Sequence, residues 1–310
     1  MKKAFFINGG AGRVLCAIPA LEYHLKNIDP TAPIIVEGWI DLYLTSKILV
    51  NNTFPANDPN LFDKLKDREI ITPEPYKLNA YFTQRANLVQ SFDMLINYDY
   101  PPETIPETKE YNELFVGKKD IATGEELVAE AKRHFKKDKV IIFQPFGSTA
   151  TIHGGVIVDE SGRSFEVDDI IDLLEELNKD YAVILMSSMK IPTDKNLNVM
   201  FPEEVSLLQW TAIINAADYF LGCDSVGQHV VHALKKPGTV VIGSTFPENI
   251  SYPESTTLKI IDNGIGERKY SPLRVAIDIR IDRQNENLMK LSSDTKKKIV
   301  KQIKDTLGKQ

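Results

Sequence analysis

The chain has 310 residues, 43% of them hydrophobic and 26% charged, with a formal net charge of -6. That length exceeds a single hydrophobic core and predicts two domains of roughly 150 residues each, without extended disorder. The acidic balance gives no global attraction to nucleic acid or to anionic lipid.

Ala4 to Ile7 reads as a short buried strand, ended by Asn8-Gly9-Gly10-Ala11-Gly12. Coming after Met1-Lys2-Lys3, this run is too short for a signal-peptide core. No stretch approaches the roughly 20 apolar residues of a spanning helix, so the expected location is cytoplasmic, with no integral membrane segment. A helical pattern follows from Arg13 to Lys26, then a strand from Pro33 to Val36 and a helix from Leu42 to Val50. Ile70-Ile71 is a strand candidate bounded by Thr72-Pro73-Glu74-Pro75, and Tyr81 to Leu95 reads as one helix. The Pro-rich stretch near 100–106 and the charged helix from Glu125 to Lys137 mark a boundary, giving domains 1–137 and 138–290. The alternation restarts with a strand at Val140 to Phe143. Helices at Asp168 to Leu177, Leu207 to Ala216 and Val226 to Leu234 then alternate with strands at Ala182 to Met186, Tyr219 to Leu221 and Thr239 to Ile242. A Gly-rich insert between Thr151 and Arg163 predicts a small hairpin over the sheet edge. Residues 291–310 form a Lys-rich amphipathic helix (Asp294 to Leu307) expected to pack back on the first domain or to present a basic face to solvent. Strand–helix alternation of this kind is the pattern of α/β units with parallel sheets.

Ligands of open α/β sheets bind at the carboxyl ends of strands, so the loops there carry the functional candidates. Gly222 to His229 joins a strand to a helix. Asp224 or Ser225 is a candidate N-cap, and the N–H groups of Ser225 to Gly227 are a candidate anion site at the positive end of the helix dipole. His229, one turn in, either faces that anion or is a core histidine. Pro145-Phe146-Gly147-Ser148-Thr149 offers a glycine and two hydroxyls to a phosphate, and Arg163 a permanent charge. Asn8 to Arg13 is Gly-rich, but G-x-G-x-x-G is absent because Arg13, Val14 and Leu15 follow Gly12, so no nicotinamide or flavin is implied. Walker A, H-E-x-x-H and G-x-S-x-G sequences are also absent. The five histidines are scattered and no metal site is expected. Cys16 and Cys223 lie far apart in apolar stretches and read as buried free thiols.

Together these loops resemble glycosyltransferase family 9, which includes the lipopolysaccharide heptosyltransferases. Ile7 to Leu21 (INGGAGRVLCAIPAL) is similar to that family's opening, Phe143 to Ala150 to the start of its second domain, and Gly162-Arg163-Ser164-Phe165 to a basic-aromatic lead-in to a helix. Ala216 to His229, then Ala233-Leu234-Lys235-Lys236-Pro237 and Gly243 to Glu248, resemble its "AD…G.D.G..H..AAL.KP" and "G.T.P" stretches. The resemblance implies a GT-B fold, two Rossmann-like doubly wound domains facing across a cleft. It implies inverting, metal-independent transfer from a nucleotide-diphosphate sugar to a glycan or other hydroxyl acceptor, with no cofactor. The donor would contact Gly147, Ser148, Thr149, Arg163, Asp224, Ser225, Val226, Gly227, Gln228 and His229, with the nucleoside near Ser187, Met189 and Phe201. Gly10, Ala11, Gly12 and Arg13 would form the acceptor-side loop. This family carries an aspartate as general base where this chain has Arg13, and arginine cannot serve as a base. Glu37, Asp41, Asp93 and Asp99 are then the base candidates, and Arg13 implies an anionic group on the acceptor. Two alternatives stay open: a protein that binds nucleotide sugars without turning them over, and a sugar-nucleotide epimerase of similar architecture.

Overall fold

The computed structural model describes residues 2–111, 114, 116–159, 161–268 and 287–308. The chain divides into two compact units, the second beginning at Val116.

In the first unit, β1 (Lys3–Ile7) is followed by α1 (Ala11–Asn27), β2 (Ile34–Val36), α2 (Asp41–Leu44) and β3 (Thr53–Pro55). Then come α3 (Leu61–Leu65), β4 (Glu69–Ile71), a 3₁₀ turn at Pro75–Lys77, α4 (Asn79–Phe82) and α5 (Leu88–Ile96). The sheet is parallel with order β3-β2-β1-β4. Chain order therefore reverses at β1, and the loops after β1 and β4 part company there. Two helices differ from the sequence pattern. The helix expected over 42–50 is only the four residues of α2. The one expected over 81–95 breaks at Gln84, whose backbone is left-handed (φ 61). It restarts at a capping box in which Asn87 accepts from the Gln90 N–H and the Gln90 side chain accepts from the Asn87 N–H. Apolar periodicity runs across this cap, so the pattern alone joins what the cap separates.

The second unit holds α6 (Lys118–Phe135), β5 (Val140–Gln144), β6 (Thr151–His153), β7 (Val156–Val158), α7 (Val167–Leu177), β8 (Ala182–Leu185) and α8 (Leu207–Ala216). It continues with β9 (Tyr219–Cys223), α9 (Val226–Ala233), β10 (Gly238–Ile242), α10 (Pro247–Ile250), β11 (Leu258–Asp262) and α11 (Ser293–Leu307). Its main sheet is parallel, ordered β11-β10-β9-β5-β8. β11 is a strand beyond the one expected to finish the unit at Ile242. The insert is the predicted hairpin: β6 and β7 pair antiparallel around Gly154 and Gly155 (φ 58 and 82), the left-handed pair a two-residue turn requires.

The division falls ahead of α6, one helix earlier than the expected boundary at 137/138. The reason is packing. Gly124 lets α6 approach the backbone of α8 so closely that an added Cβ would lie 2.7 Å from the Ala212 carbonyl carbon. Lys132 and Lys139 both pair with Asp218 at the start of β9, at 3.1 and 3.0 Å. The C-terminal helix packs within the second unit. Ile299 and Ile303 are fully buried in the cluster formed with Ile170, Leu174 and Leu221. The basic residues of α11 meet the acidic face of α7: Lys296 pairs with Asp169 and Asp172, and Lys304 with Glu176 and Asp180. Lys296 and Lys304 of the Lys-rich run are thus matched by carboxylates of their own unit. Among the described residues no helix is long and apolar enough to cross a membrane.

Gly124→Ala tests the α6–α8 contact. Helix propensity alone favours alanine by about 1 kcal/mol, whereas overpacking against backbone costs about 1–3 kcal/mol. A net loss of stability is expected, read as a lower midpoint in urea unfolding.

Candidate functional site

Strand order in the second unit reverses between β5 and β9, so the loops that leave these strands open a crevice at their carboxyl ends. Gln144, the last residue of β5, bridges it. Its Oε1 accepts from the Gly227 N–H at 3.0 Å and its Nε2 donates to Ser225 Oγ at 3.2 Å. Gly222 and Gly227 both face the Phe220 ring, and a Cβ on either would sit 2.6 Å from it. The two glycines are packing requirements that seat the start of α9 on β9.

This corrects the sequence reading of the anion site. The Gly227 N–H is taken by Gln144, and neither Asp224 nor Ser225 caps α9 through its side chain. Asp224 is instead buried and holds two neighbours, accepting from Gln228 Nε2 at 2.7 Å and Thr245 Oγ1 at 2.8 Å. Gln228, also buried, accepts in turn from Ser251 Oγ at 2.8 Å. Ser225 and Val226, at the start of α9, are half-buried. Because Ser225 Oγ accepts from Gln144, its own hydroxyl proton remains available to donate.

His229 points into the protein. Its Nδ1 lies 2.8 Å from the Tyr252 hydroxyl, and His232 stacks on the other side of that tyrosine, with ring centroids 3.5 Å apart. Burial pushes the His229 pKa down to about 3, with the charges of His232 and Arg163 adding to the effect. It is a neutral brace, with no proton to exchange near neutral pH.

Across the crevice, Asp159 organises the loop after β5. Oδ1 accepts from Thr149 Oγ1 at 2.7 Å and from the Ser161 N–H at 2.8 Å, while Oδ2 accepts from Ser164 Oγ at 2.5 Å. Burial works against the charge on Asp159, but these hydrogen bonds and Arg163 outweigh it and hold the carboxyl below its ordinary range. Ser164 Oγ in turn accepts from the Gly147 N–H at 2.9 Å. The Thr149 proton is therefore committed to Asp159, and the hydroxyl expected to donate to phosphate acts here only as an acceptor. Arg163 donates through Nε to Ser161 Oγ at 2.9 Å, and its Nη1 lies 4.0 Å from Asp224 Oδ2. Arg163 thus stands beside Asp224, and Ser225 beside Gln144 at the start of α9, while Ser148 is exposed in the loop after β5. Further along the same edge, Ser187 closes a turn on the Met189 N–H, and Met200 bridges to Ile184 beside β8. Met189 and Phe201 both pack against the unit's apolar cluster.

In the first unit, Arg13 is buried rather than open to an acceptor. Nη1 donates to Glu74 Oε1 at 2.8 Å and Nη2 to the Pro73 carbonyl at 2.7 Å, with the rings of Tyr76 and Phe92 nearby. Its charge is already matched, so it does not imply an anionic acceptor. Of the expected base candidates, Asp93 is fully buried and paired with Lys109 at 3.3 Å. Asp99 pairs with Lys3 at the amino end of β1, the wrong edge of the sheet for a ligand loop. Glu37 and Asp41 are exposed after β2. Glu74, at the carboxyl end of β4 beside the reversal, is the carboxylate that sequence reasoning passed over. Its signal was the strand candidate just before it, which made Thr72 to Glu74 a strand-end loop. Cys16 and Cys223 are buried thiols outside any disulfide, and burial pushes the Cys223 thiol well up, so it is inert. Among the described residues no three His, Cys, Asp or Glu side chains converge on a metal position.

No protein-family profile matches the chain, and no curated protein matches it in sequence. Solved structures do align. An ADP-heptose lipopolysaccharide heptosyltransferase II of E. coli covers 98% of this chain and 98% of its own at 17% identity, with a TM-score of 0.62. The chain has a GT-B fold. A glycosyltransferase family 9 protein of Veillonella parvula shares this fold over 97% of the chain and 96% of its own, at 10% identity and a TM-score of 0.67. The iron-containing dodecameric glycosyltransferase TibC of enterotoxigenic E. coli does so over 99% of the chain and 77% of its own, at 12% identity and a TM-score of 0.57.

The His229 environment predicts a pH effect on stability. Folded His229 refuses a proton down to about pH 3, whereas the unfolded chain accepts one near 6.5. Stability is therefore full above about pH 6.5 and falls by about 1.4 kcal/mol per unit as pH drops from there toward 3. Denaturant unfolding of wild type and His229→Asn across that range should show the variant's slope shallower by about one proton.

Proposed function

We propose that this chain is an inverting, metal-independent glycosyltransferase that transfers a sugar from a nucleotide-diphosphate sugar to a hydroxyl acceptor. The reading rests chiefly on the loops that leave β5 and β9 in a GT-B fold, where Arg163 stands beside Asp224 and Ser225 beside Gln144 at the N-terminus of α9. The chemical task is to stabilise negative charge that grows on the departing nucleoside diphosphate. A fixed guanidinium and a helix N-terminus do this without reorganising during the reaction. Asp159 and Asp224 hold that arrangement in place rather than bind the donor. Met189 and Phe201 line the edge beside β8 and offer an apolar surface to the base.

Structures of the same fold include an ADP-heptose enzyme, so ADP-heptose is the first donor to test, beside UDP-, GDP- and CMP-sugars. Calorimetric titration of the panel is expected to select one nucleotide, and coupled nucleotide release is expected on adding glycan acceptors. Binding without release would identify a non-catalytic nucleotide-sugar protein. Turnover of the donor with no acceptor, giving an isomeric nucleotide sugar, would identify an epimerase. Arg163→Ala should weaken donor binding by about 10- to 100-fold, the range of a hydrogen bond to a charged group. EDTA should leave the rate unchanged.

A further inference from the structure

The loops that leave β1, β2 and β3 run side by side at the carboxyl edge of the first sheet, where such sheets take ligands. The Glu37 N–H donates to the Ile7 carbonyl at 3.0 Å and the Ala56 N–H to the Val36 carbonyl at 3.3 Å, so the three loops start together. The middle loop, Glu37-Gly38-Trp39-Ile40-Asp41, carries an exposed indole between two exposed carboxylates.

Trp39 is 51% exposed, and its backbone is left-handed (φ 63), a conformation that a bulky side chain adopts only under strain. That strain is held by α2: the Trp39 carbonyl accepts from the Leu42 N–H at 3.0 Å, and Leu42 and Tyr43 are buried. Glycine would make the same turn without strain, and half of the indole surface stays in water. The fold alone therefore gives little reason for a tryptophan at this position.

The charge at this edge narrows what the indole meets. None of residues 8–12, 37–41 and 56–60 is lysine or arginine. Among the described residues, neither the Glu37 nor the Asp41 carboxylate has a hydrogen-bond or ion-pair partner, so both keep their acceptor oxygens for water or a ligand. A phosphate or carboxylate would be repelled. An uncharged sugar has the complementary chemistry: the C–H groups on one face of its ring pack on an indole, and its hydroxyls donate to carboxylate oxygens. In the neighbouring loop Gly9 and Gly10 are exposed and add no bulk to the edge.

We propose that this edge is a binding site for an uncharged sugar residue, seated on Trp39, with Glu37 and Asp41 accepting from its hydroxyls. The assignment goes beyond the glycosyltransferase reading and does not rest on it, because every group it uses belongs to the first unit.

The test uses the full chain and neutral probes: methyl glycosides and oligosaccharides of glucose, galactose, mannose and N-acetylglucosamine. Glucuronate and glucose 6-phosphate are the charged counterparts. The chain has two tryptophans and Trp210 is buried, so Trp39 is the one whose emission responds to a ligand at the surface. A bound neutral sugar should shift that emission to shorter wavelength, and the shift should vanish in Trp39→Phe. By calorimetry, Trp39→Gly should weaken binding about 10-fold, with a melting temperature at or above that of wild type because the strain is relieved. Glu37→Gln and Asp41→Asn should each weaken binding by about 3- to 10-fold. Should Trp39→Gly lose stability, these two changes at solvated side chains decide the matter, and full affinity in both overturns the assignment. So does the failure of every neutral probe to bind, an affinity that a folded Trp39→Gly leaves unchanged, or charged counterparts that bind as tightly as the neutral sugars. Nucleotide sugars are titrated separately, and their failure to bind would sink the glycosyltransferase reading while leaving this one standing.

Discussion

The second unit depends on how it closes the gap left by its own strand order. A parallel sheet that reverses direction between β5 and β9 sends successive helices to opposite faces, which exposes backbone groups at the parting. The Gln144 amide spans that parting, taking the Gly227 N–H with its oxygen and giving a proton to Ser225 with its nitrogen. A neutral amide suits the place because it satisfies one group of each kind without adding charge there. The contact dictates much of the neighbouring sequence. Gly227 has no room for a Cβ against Gln144, and both Gly222 and Gly227 must clear the Phe220 ring. Asp224 and Gln228 then carry the same order outward to Thr245 and Ser251.

The first unit meets the same topological problem with different chemistry. At the parting of β1 and β4 the bridge is an ion pair, and its partners come from the first turn of α1 and the loop after β4. An ion pair in a largely dry setting is favourable only if the remaining polar atoms are satisfied as well. Gln144 leaves nothing over, whereas Arg13 and Glu74 leave one atom each.

What could be read from the sequence follows the strength of local signals. α8 begins at Ser206 with a capping box and has the bounds its pattern predicts, Leu207 to Ala216. β5, β8 and β9 are short, continuous apolar runs buried on both faces, which parallel strands require. By contrast, β3 and β11 have exposed or half-buried positions and carry Pro55 or Lys259, so composition alone does not mark them. The charged surface of α6 gave no hint of which unit it joins, since that depends on Gly124 meeting a helix some 90 residues away. The same limit applied to the functional loops. Gly222 to His229 stood out as a strand-to-helix turn, but which of its groups remain for a ligand depended on Gln144, Tyr252 and Thr245, all distant in sequence. Arg13 looked like a free cation because its counter-charge lies 61 residues on.

The carboxylates of the second unit's crevice need a physical account, since Asp159 and Asp224 stand beside a single arginine where an anion is expected to bind. Their charges are not idle. Asp159 takes hydrogen bonds from Thr149, Ser161 and Ser164, and Asp224 from Gln228 and Thr245, so each is saturated by neutral donors of its own loops. These donors, with Arg163 nearby, stabilise both charges within the loops. The arrangement also limits rotation: Nε is committed to Ser161, and Nη1 stands 4.0 Å from Asp224. A guanidinium held in this way loses less freedom when it meets a diphosphate than an isolated surface arginine would. Local net charge is therefore a poor guide to this crevice, because the carboxylates are taken up by their own loops and serve to orient Arg163.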